Sequence, residues 1–102
     1  MGEKTEVYTY SDMLVKVCEF LEALDTDKFR QMAKENYKIG KAIVPLISYD
    51  ESMLRTPKEV DNTGIYVETN RSANDIVRTI KNLLDEFGLS YDDFIFYTEV
   101  AK

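Results

Sequence analysis

The last third of the chain contains the most informative pattern of the sequence: a strand, a capped helix and a second strand, which is one unit of an α/β-type sandwich. The first strand starts at Gly64, after which apolar and polar residues alternate with a period of two. Ser72 can cap the helix, with Asp75 as its capping-box partner, and Gly88 can end it in the left-handed conformation. The apolar stripe of this helix consists of Ile76, Val77, Ile80, Leu83, Leu84 and Phe87. The second strand is predicted over residues 94–100, and a connection of this length favours a right-handed crossover between parallel strands.

The first forty residues predict a short strand followed by two helices. Residues 6–10 are β-prone, and Ser11 can cap a helix that starts after them. Asp25 or Thr26 can cap a second helix, and Gly40 is a natural residue to end it. Each helix has apolar residues at three- and four-residue spacing, so both are expected to bury one face. These residues are Leu14, Val17, Cys18, Leu21 and Leu24 in the first helix, and Phe29, Met32, Ala33, Tyr37 and Ile39 in the second.

Residues 41–49 are apolar and rich in β-branched side chains, which favours a strand. Ile43, Leu46 and Ile47 also continue the stripe of the second helix, so a kinked helix is the alternative. Pro45 disfavours a helical conformation at Val44 and has no N–H group to donate to a neighbouring strand. We therefore expect an edge strand in this segment.

Residues 48–63 show no regular period, which is unusual inside a compact domain and is typical of functional loops. Pro57 blocks a continuous helix and fixes an extended conformation at the residue before it. Met53 and Leu54 are expected to anchor the segment on the domain through one short helical turn. Residues 58–62 are expected to stay exposed, where they would be available to a partner.

The predicted order of elements is β-α-α-β-β-α-β, within a single domain that spans residues 1–102. A chain of this length can bury about two-thirds of its unfolded surface, so it can fold without disulfides or a metal. If the first two helices are counted as one, the order is that of a ferredoxin-like (split βαβ) fold. We therefore expect an α+β two-layer sandwich of that topology or a variant of it. Many unrelated functions share this topology, so it does not indicate an activity.

The chain contains no histidine, which excludes Ser–His and Cys–His dyads, imidazole metal ligands and the commonest general base near neutral pH. The one cysteine, Cys18, lies on the apolar stripe of the first helix, where a buried structural thiol is expected. The carboxylate pairs at 50–51, 85–86 and 92–93 match no calcium loop, and the glycines form no phosphate-binding loop. The sequence predicts no catalytic residue, metal site or cofactor, and it favours a non-catalytic role.

The net charge of −6 disfavours nonspecific binding to nucleic acids, because such binding depends on neutralising phosphates. The charge is unevenly distributed. Residues 1–25 carry six acids and two bases, residues 83–102 carry five acids and one base, and residues 26–41 carry two acids and five bases. These segments are either ordinary solvated surfaces or the two sides of a polarised surface that orients a charged partner.

The expected location is the cytoplasm, with no membrane partner. No apolar run approaches the roughly 20 residues that cross a bilayer, and the polar start does not have the features of a signal peptide. A single cysteine permits no disulfide within the chain, which fits a reducing compartment.

A small anion site is one candidate for binding. Asn70, Arg71 and Ser72 lie between a predicted strand and a predicted helix start, where N–H groups and the helix dipole can hold an anion. In the alternative interpretation, Ser72 only caps the helix and Arg71 is an ordinary exposed arginine.

A tyrosine-rich sheet face is the second candidate. Alternation along the predicted strands places five large side chains on the face directed away from the helices: Tyr8, Tyr10, Tyr66, Ile95 and Tyr97. Helices do not cover this face in a two-layer sandwich, and tyrosine is favoured at protein interfaces. The neighbouring Glu68 and Glu99 disfavour RNA, because an RNA-binding sheet combines aromatic residues with basic ones. Ordinary exposed tyrosines are the alternative.

These observations predict a small protein-binding or regulatory module that forms a homodimer through the tyrosine-rich face or through an edge strand. Two alternatives stay open. The small size and acidic ends also fit an acidic inhibitor or nucleic-acid mimic from a mobile element. A small-ligand binder or a histidine-free enzyme would use carboxylates, tyrosines and Arg71.

Overall fold

The structure is a computed structural model that describes residues 9–90. This range contains the helices α1 (Tyr10–Leu24), α2 (Thr26–Lys34) and α3 (Ala73–Glu86), a 3-10 turn (Glu51–Met53), and the strands β1 (Ile47–Ser48), β2 (Pro57–Glu59) and β3 (Tyr66–Glu68). The strands form an antiparallel sheet in the order β1-β3-β2. The α+β class is therefore confirmed. The predicted seven-element order and the ferredoxin-like topology stay predictions, since residues 6–8 and the predicted strand at 94–100 lie outside the described range.

The register of the sheet determines which side chains face the core. Val67 of β3 lies opposite Ile47 of β1, and both are fully buried. Tyr66 lies opposite Ser48 on one side and Glu59 on the other. Because successive residues of a strand point to opposite faces, Tyr66 points away from the core that Val67 enters.

The helices and the sheet enclose one apolar core, and α1 packs against both α2 and α3. Most of the predicted stripe residues of the three helices are buried in this core. Leu24 is an exception and is exposed at the end of α1. Four others are only partly buried: Tyr37, Ile39, Val77 and Phe87. The sheet contributes Ile47 and Val67, and the loops Leu46, Val60 and Ile65. No helix in residues 9–90 is long and apolar enough to cross a membrane.

Helix α1 begins one residue earlier than the predicted cap. Thr9 is the N-cap: its hydroxyl accepts the N–H of Asp12 at 3.0 Å, and Asp12 accepts the N–H of Thr9 at 3.4 Å. The prediction that Tyr10 ends a strand is therefore wrong, because this capping box satisfies helix N–H groups that a β conformation would not offer. Ser11 lies inside the first turn, where its hydroxyl donates to the carbonyl of Thr69 at 3.4 Å.

Helix α2 starts as predicted and ends earlier than predicted. Asp25 caps it by accepting the N–H of Lys28 at 3.2 Å. The helix stops at Lys34, six residues before Gly40, and Asn36 adopts a left-handed conformation with φ of 53°. The N–H of Asn36 donates to the carbonyl of Ala33 at 3.1 Å, and the N–H of Tyr37 donates to the carbonyl of Met32 at 3.0 Å, so the helix has a Schellman ending. Asn36 thus takes the position that the prediction gave to Gly40. The carbonyl of Tyr37 then accepts the N–H of Leu46 at 2.7 Å, next to β1.

Both ends of α3 were predicted correctly. Ser72 is the N-cap and accepts the N–H of Asp75 at 3.2 Å. The predicted capping box is not formed, because the Asp75 carboxylate pairs with Arg78 at 2.8 Å instead. At the other end Gly88 has a φ of 74°, its N–H reaches the carbonyl of Asp85 at 3.0 Å, and the next residue donates to Leu84 at 2.8 Å. These two bonds define the predicted Schellman ending.

The segment 41–63 is more ordered than its sequence suggests. The predicted edge strand is present but is only the two residues of β1, after Pro45. The predicted helical turn is the 3-10 turn. Leu54 is buried after it, whereas Met53 is 42% exposed, so the anchor of the segment is Leu54 and not Met53. β2 was not predicted, and Val60 at its end is fully buried, so the prediction that residues 58–62 all stay exposed is wrong at that position.

Candidate functional site

The outer face of the sheet is centred on Tyr66, because β3 is the middle strand. Its side chain is partly exposed, and both Ile65 and Val67 beside it are fully buried. Glu59 lies directly across the β2–β3 pair and shares this face. Tyr66 thus lies on the face directed away from the core, where alternation along the strand places it.

Two carboxylates, those of Glu51 and Glu59, act on the charge state of Tyr66. Glu51, in the 3-10 turn, raises the pKa of the Tyr66 hydroxyl above its usual range, and partial burial and Glu59 add to this effect. Both carboxylates act in the same direction because a tyrosinate next to a negative charge is disfavoured. Glu59 is held in place by the N–H of Gly64, which it accepts at 3.1 Å. The surroundings of Tyr66 are therefore acidic and amphipathic.

An open groove borders this face on the β1 side. Ser48, which lies opposite Tyr66, is fully buried, and its hydroxyl is 2.7 Å from Oδ1 of Asn36 and 3.9 Å from Sδ of Met53. Met53 also lines the groove, together with Glu35, Asn36, Tyr37 and Lys38. The exposed lysine Lys38 therefore borders the same side of the molecule as Met53 and the 3-10 turn.

A buried carboxylate holds the sheet and its flanking loops together. Glu68 is only 3% exposed, and its Oε1 accepts the N–H groups of Arg55 at 2.6 Å and Thr56 at 3.1 Å. Its Oε2 accepts the N–H of Asn70 at 2.9 Å. Thr69 adds two bonds to the carbonyl of Thr56, one from its N–H at 3.1 Å and one from its hydroxyl at 2.8 Å. The entry to β2 is thus fastened to the end of β3.

The predicted tyrosine set is only partly visible. Tyr66 lies on the outer sheet face, whereas Tyr10 is 49% exposed in the first turn of α1 and does not belong to a strand. Tyr8, Ile95 and Tyr97 lie outside the described residues. Sequence reasoning missed Glu51 and Lys38 as neighbours of this face, and the only available signal was the opposite charge of their segments.

The backbone N–H groups of the predicted anion site are already bonded within the chain, whereas the buried Nε of the Arg71 side chain has no hydrogen-bond partner. The N–H of Asn70 donates to Glu68, and the N–H of Arg71 donates to the carbonyl of Thr69 at 2.8 Å. Ser72 uses its hydroxyl to cap α3. Arg71 does not line the groove beside Met53. Anion binding by these residues stays a prediction.

Groups with reactive chemistry are not assembled in the described part of the chain. Cys18 is fully buried in α1, and this burial, followed by the charge of Glu19, raises the pKa of its thiol far above the usual range. A thiol in this state does not supply the thiolate that nucleophilic chemistry needs. Within residues 9–90, no three Cys, Asp or Glu side chains are grouped so that they could hold a metal ion.

Comparisons with known proteins add no relative: the chain matches no protein-family model, no curated protein and no solved structure at a significant level.

Proposed function

We propose that this protein is a small, non-catalytic protein-binding module that associates with a second copy of itself through the sheet face around Tyr66. The observation that carries this proposal is the position of Tyr66. It stands on the central strand, on the face opposite the core, between Glu51 and Glu59 and next to the groove at Met53.

Tyrosine suits such a role because it offers a large apolar ring and one polar hydroxyl at a low cost in conformational entropy. Tyr66 is already partly buried between neighbours on the sheet, so little side-chain freedom would be lost on binding. Met53, 42% exposed at the edge of the groove, adds an adaptable apolar side chain of the kind enriched at interfaces.

The sheet face is better supported than strand-to-strand pairing at an edge. In the sheet of residues 9–90, β1 has only two residues, and β2 starts with Pro57. Lys58 and Glu59 follow and are exposed. Short strands, proline and charged residues are the features that prevent a sheet edge from pairing with another chain.

Sedimentation equilibrium at micromolar concentration tests the proposal, with Tyr66→Ala as the main variant. We expect the parent to be a dimer and Tyr66→Ala to raise the dissociation constant about tenfold or more, as hot-spot aromatics do. Leu24→Ala is the matched control, since Leu24 is an exposed apolar side chain at the end of α1 and its truncation should leave the dimer unchanged. A parent protein that is strictly monomeric would contradict self-association.

A further inference from the structure

Exposed residues of opposite charge occur around the outer sheet face and the groove beside it. The acidic group consists of Glu51 and Glu59, which flank Tyr66. The basic group consists of Lys38 at the groove and Lys41 three residues later, both exposed. Among residues 9–90, none of these four side chains forms an ion pair.

Lys38 and the acidic group share one side of the molecule. Lys38 and Met53 line the same groove, and Met53 ends the 3-10 turn that begins with Glu51. Met53 also contacts Ser48, the residue opposite Tyr66. Across this surface, Lys38 is therefore followed by the groove, then by the acidic 3-10 turn and then by Tyr66. Glu35 also lines the groove, but its carboxylate accepts a hydrogen bond from Gln31 at 2.8 Å.

We propose, on the basis of the function proposed above, that a second copy docks on this face about a two-fold axis, with Lys38 and Lys41 of each copy against Glu51 and Glu59 of the other. Tyr66 and Met53 form the apolar centre of this arrangement. A two-fold axis repeats each contact, so a surface that carries both members of a charge pair is complementary to itself.

The charge of the whole chain supports a second copy over an unrelated basic partner. Two chains of net charge −6 repel each other, so association needs local contacts between opposite charges. A uniformly basic partner would satisfy Glu51 and Glu59 but would meet Lys38 and Lys41 as like charges, which costs binding energy. A second copy meets opposite charges on both sides of the groove.

Charge reversal followed by mixing tests this arrangement. In a Glu51→Lys dimer, both contacts would place lysine against Lys38, and in a Lys38→Glu dimer both would place glutamate against Glu51. We expect each variant alone to raise the dissociation constant about tenfold or more, since close like charges oppose binding. In an equimolar mixture every contact again joins opposite charges, so heterodimers should form within about threefold of the parent affinity.

Native mass spectrometry counts homodimers and heterodimers, and sedimentation equilibrium gives the dissociation constants. Lys81→Glu and Asp85→Lys, both exposed on α3, are matched charge controls that should dimerise like the parent. Far-UV circular dichroism spectra like that of the parent confirm that the variants fold. If the parent dimer depends on Tyr66 but the mixture does not recover heterodimers, this arrangement is wrong and the proposed function stands. A monomeric parent overturns both.

Discussion

The carboxylate of Glu68 accepts the backbone N–H of Arg55 at 2.6 Å, across thirteen residues of sequence. This bond and the two other N–H groups that Glu68 accepts, from Thr56 and Asn70, connect the segment before β2 with the segment before α3. A buried carboxylate is stable only when such donors replace the water that it has lost. Glu68 therefore acts as a structural anchor for the outer face on which Tyr66 lies.

Removing this anchor is expected to destabilise the protein. Glu68→Ala leaves three backbone N–H groups without their acceptor, and we expect the free energy of unfolding to fall by about 2–4 kcal/mol. Glu68→Gln keeps one acceptor oxygen and should cost about half as much. Urea denaturation measures both values, and Asp85→Ala on the exposed side of α3 is the control. A Glu68→Ala variant as stable as the control would show that these bonds contribute little.

Protection of the β2 segment from trypsin should change when Glu68 is replaced. Tryptic cleavage after Arg55 or Lys58 requires the β2 segment to leave β3, which the bonds to Glu68 oppose. We therefore expect slow cleavage at both sites in the parent and at least about tenfold faster cleavage in Glu68→Gln. Cleavage after Lys41, in the exposed segment before β1, should keep its rate and serves as the internal control. Rapid cleavage after Lys58 in the parent would mean that β2 is not held.

The predictable parts of the fold are those that depend on neighbouring residues. The bounds of α3 follow from Ser72 at its start and Gly88 after its end, because capping is a matter of three or four residues. The end of α2 is also local, because Asn36 takes the left-handed position that glycine or asparagine can occupy after a helix. The apolar spacing of Tyr37 and Ile39 favoured the later Gly40 instead.

In the candidate site, only the features that depend on neighbouring residues could be predicted from the sequence. Alternation places Tyr66 on the outer face, because it depends only on Ile65 and Val67. The burial of Glu68 depends on the pairing of β2 with β3, which the irregular composition of residues 48–63 conceals. The proximity of Lys38 to Met53 likewise depends on tertiary structure, so the sequence does not show it.

The burial of Val60, in a segment that was predicted to be exposed, can be tested directly. Val60 is fully buried and Ile43 is 85% exposed, although both lie in segments without a clear period. We expect Val60→Ala to lower the free energy of unfolding by about 2 kcal/mol, because it removes buried methyl groups and leaves a cavity. Ile43→Ala should change it by less than about 0.5 kcal/mol. Equal effects in urea denaturation would contradict the placement of Val60.

The start of α1 can be tested by comparing two hydroxyls. Thr9 caps the helix, so Thr9→Ala should cost about 1 kcal/mol of stability. Ser11 is not the cap and makes only a long hydrogen bond to Thr69, so Ser11→Ala should cost less than about 0.5 kcal/mol. Thermal and urea unfolding of the two variants decide between the caps. A larger loss for Ser11→Ala would restore the cap that the sequence suggested.

The ionisation of Tyr66 reports on the charges of the outer face. Its pKa is raised first by Glu51, so Glu51→Gln should move the pKa down toward the usual value of about 10. Because the folded-state pKa is raised, the stability linked to neutral Tyr66 is fully present below pH of about 10 and is lost as the pH rises through the raised pKa.

Titration of isotope-labelled tyrosine rings by NMR follows this change residue by residue. Tyr37 is the internal control, since burial raises its pKa first and Glu86 second, with its hydroxyl 3.4 Å from that carboxylate. Glu51→Gln should leave Tyr37 unchanged, and Glu86→Gln should lower the pKa of Tyr37 alone. If Glu51→Gln does not change the pKa of Tyr66, then Glu51 is not close enough to act on that tyrosine. The acidic side of the proposed interface would then consist of Glu59 alone.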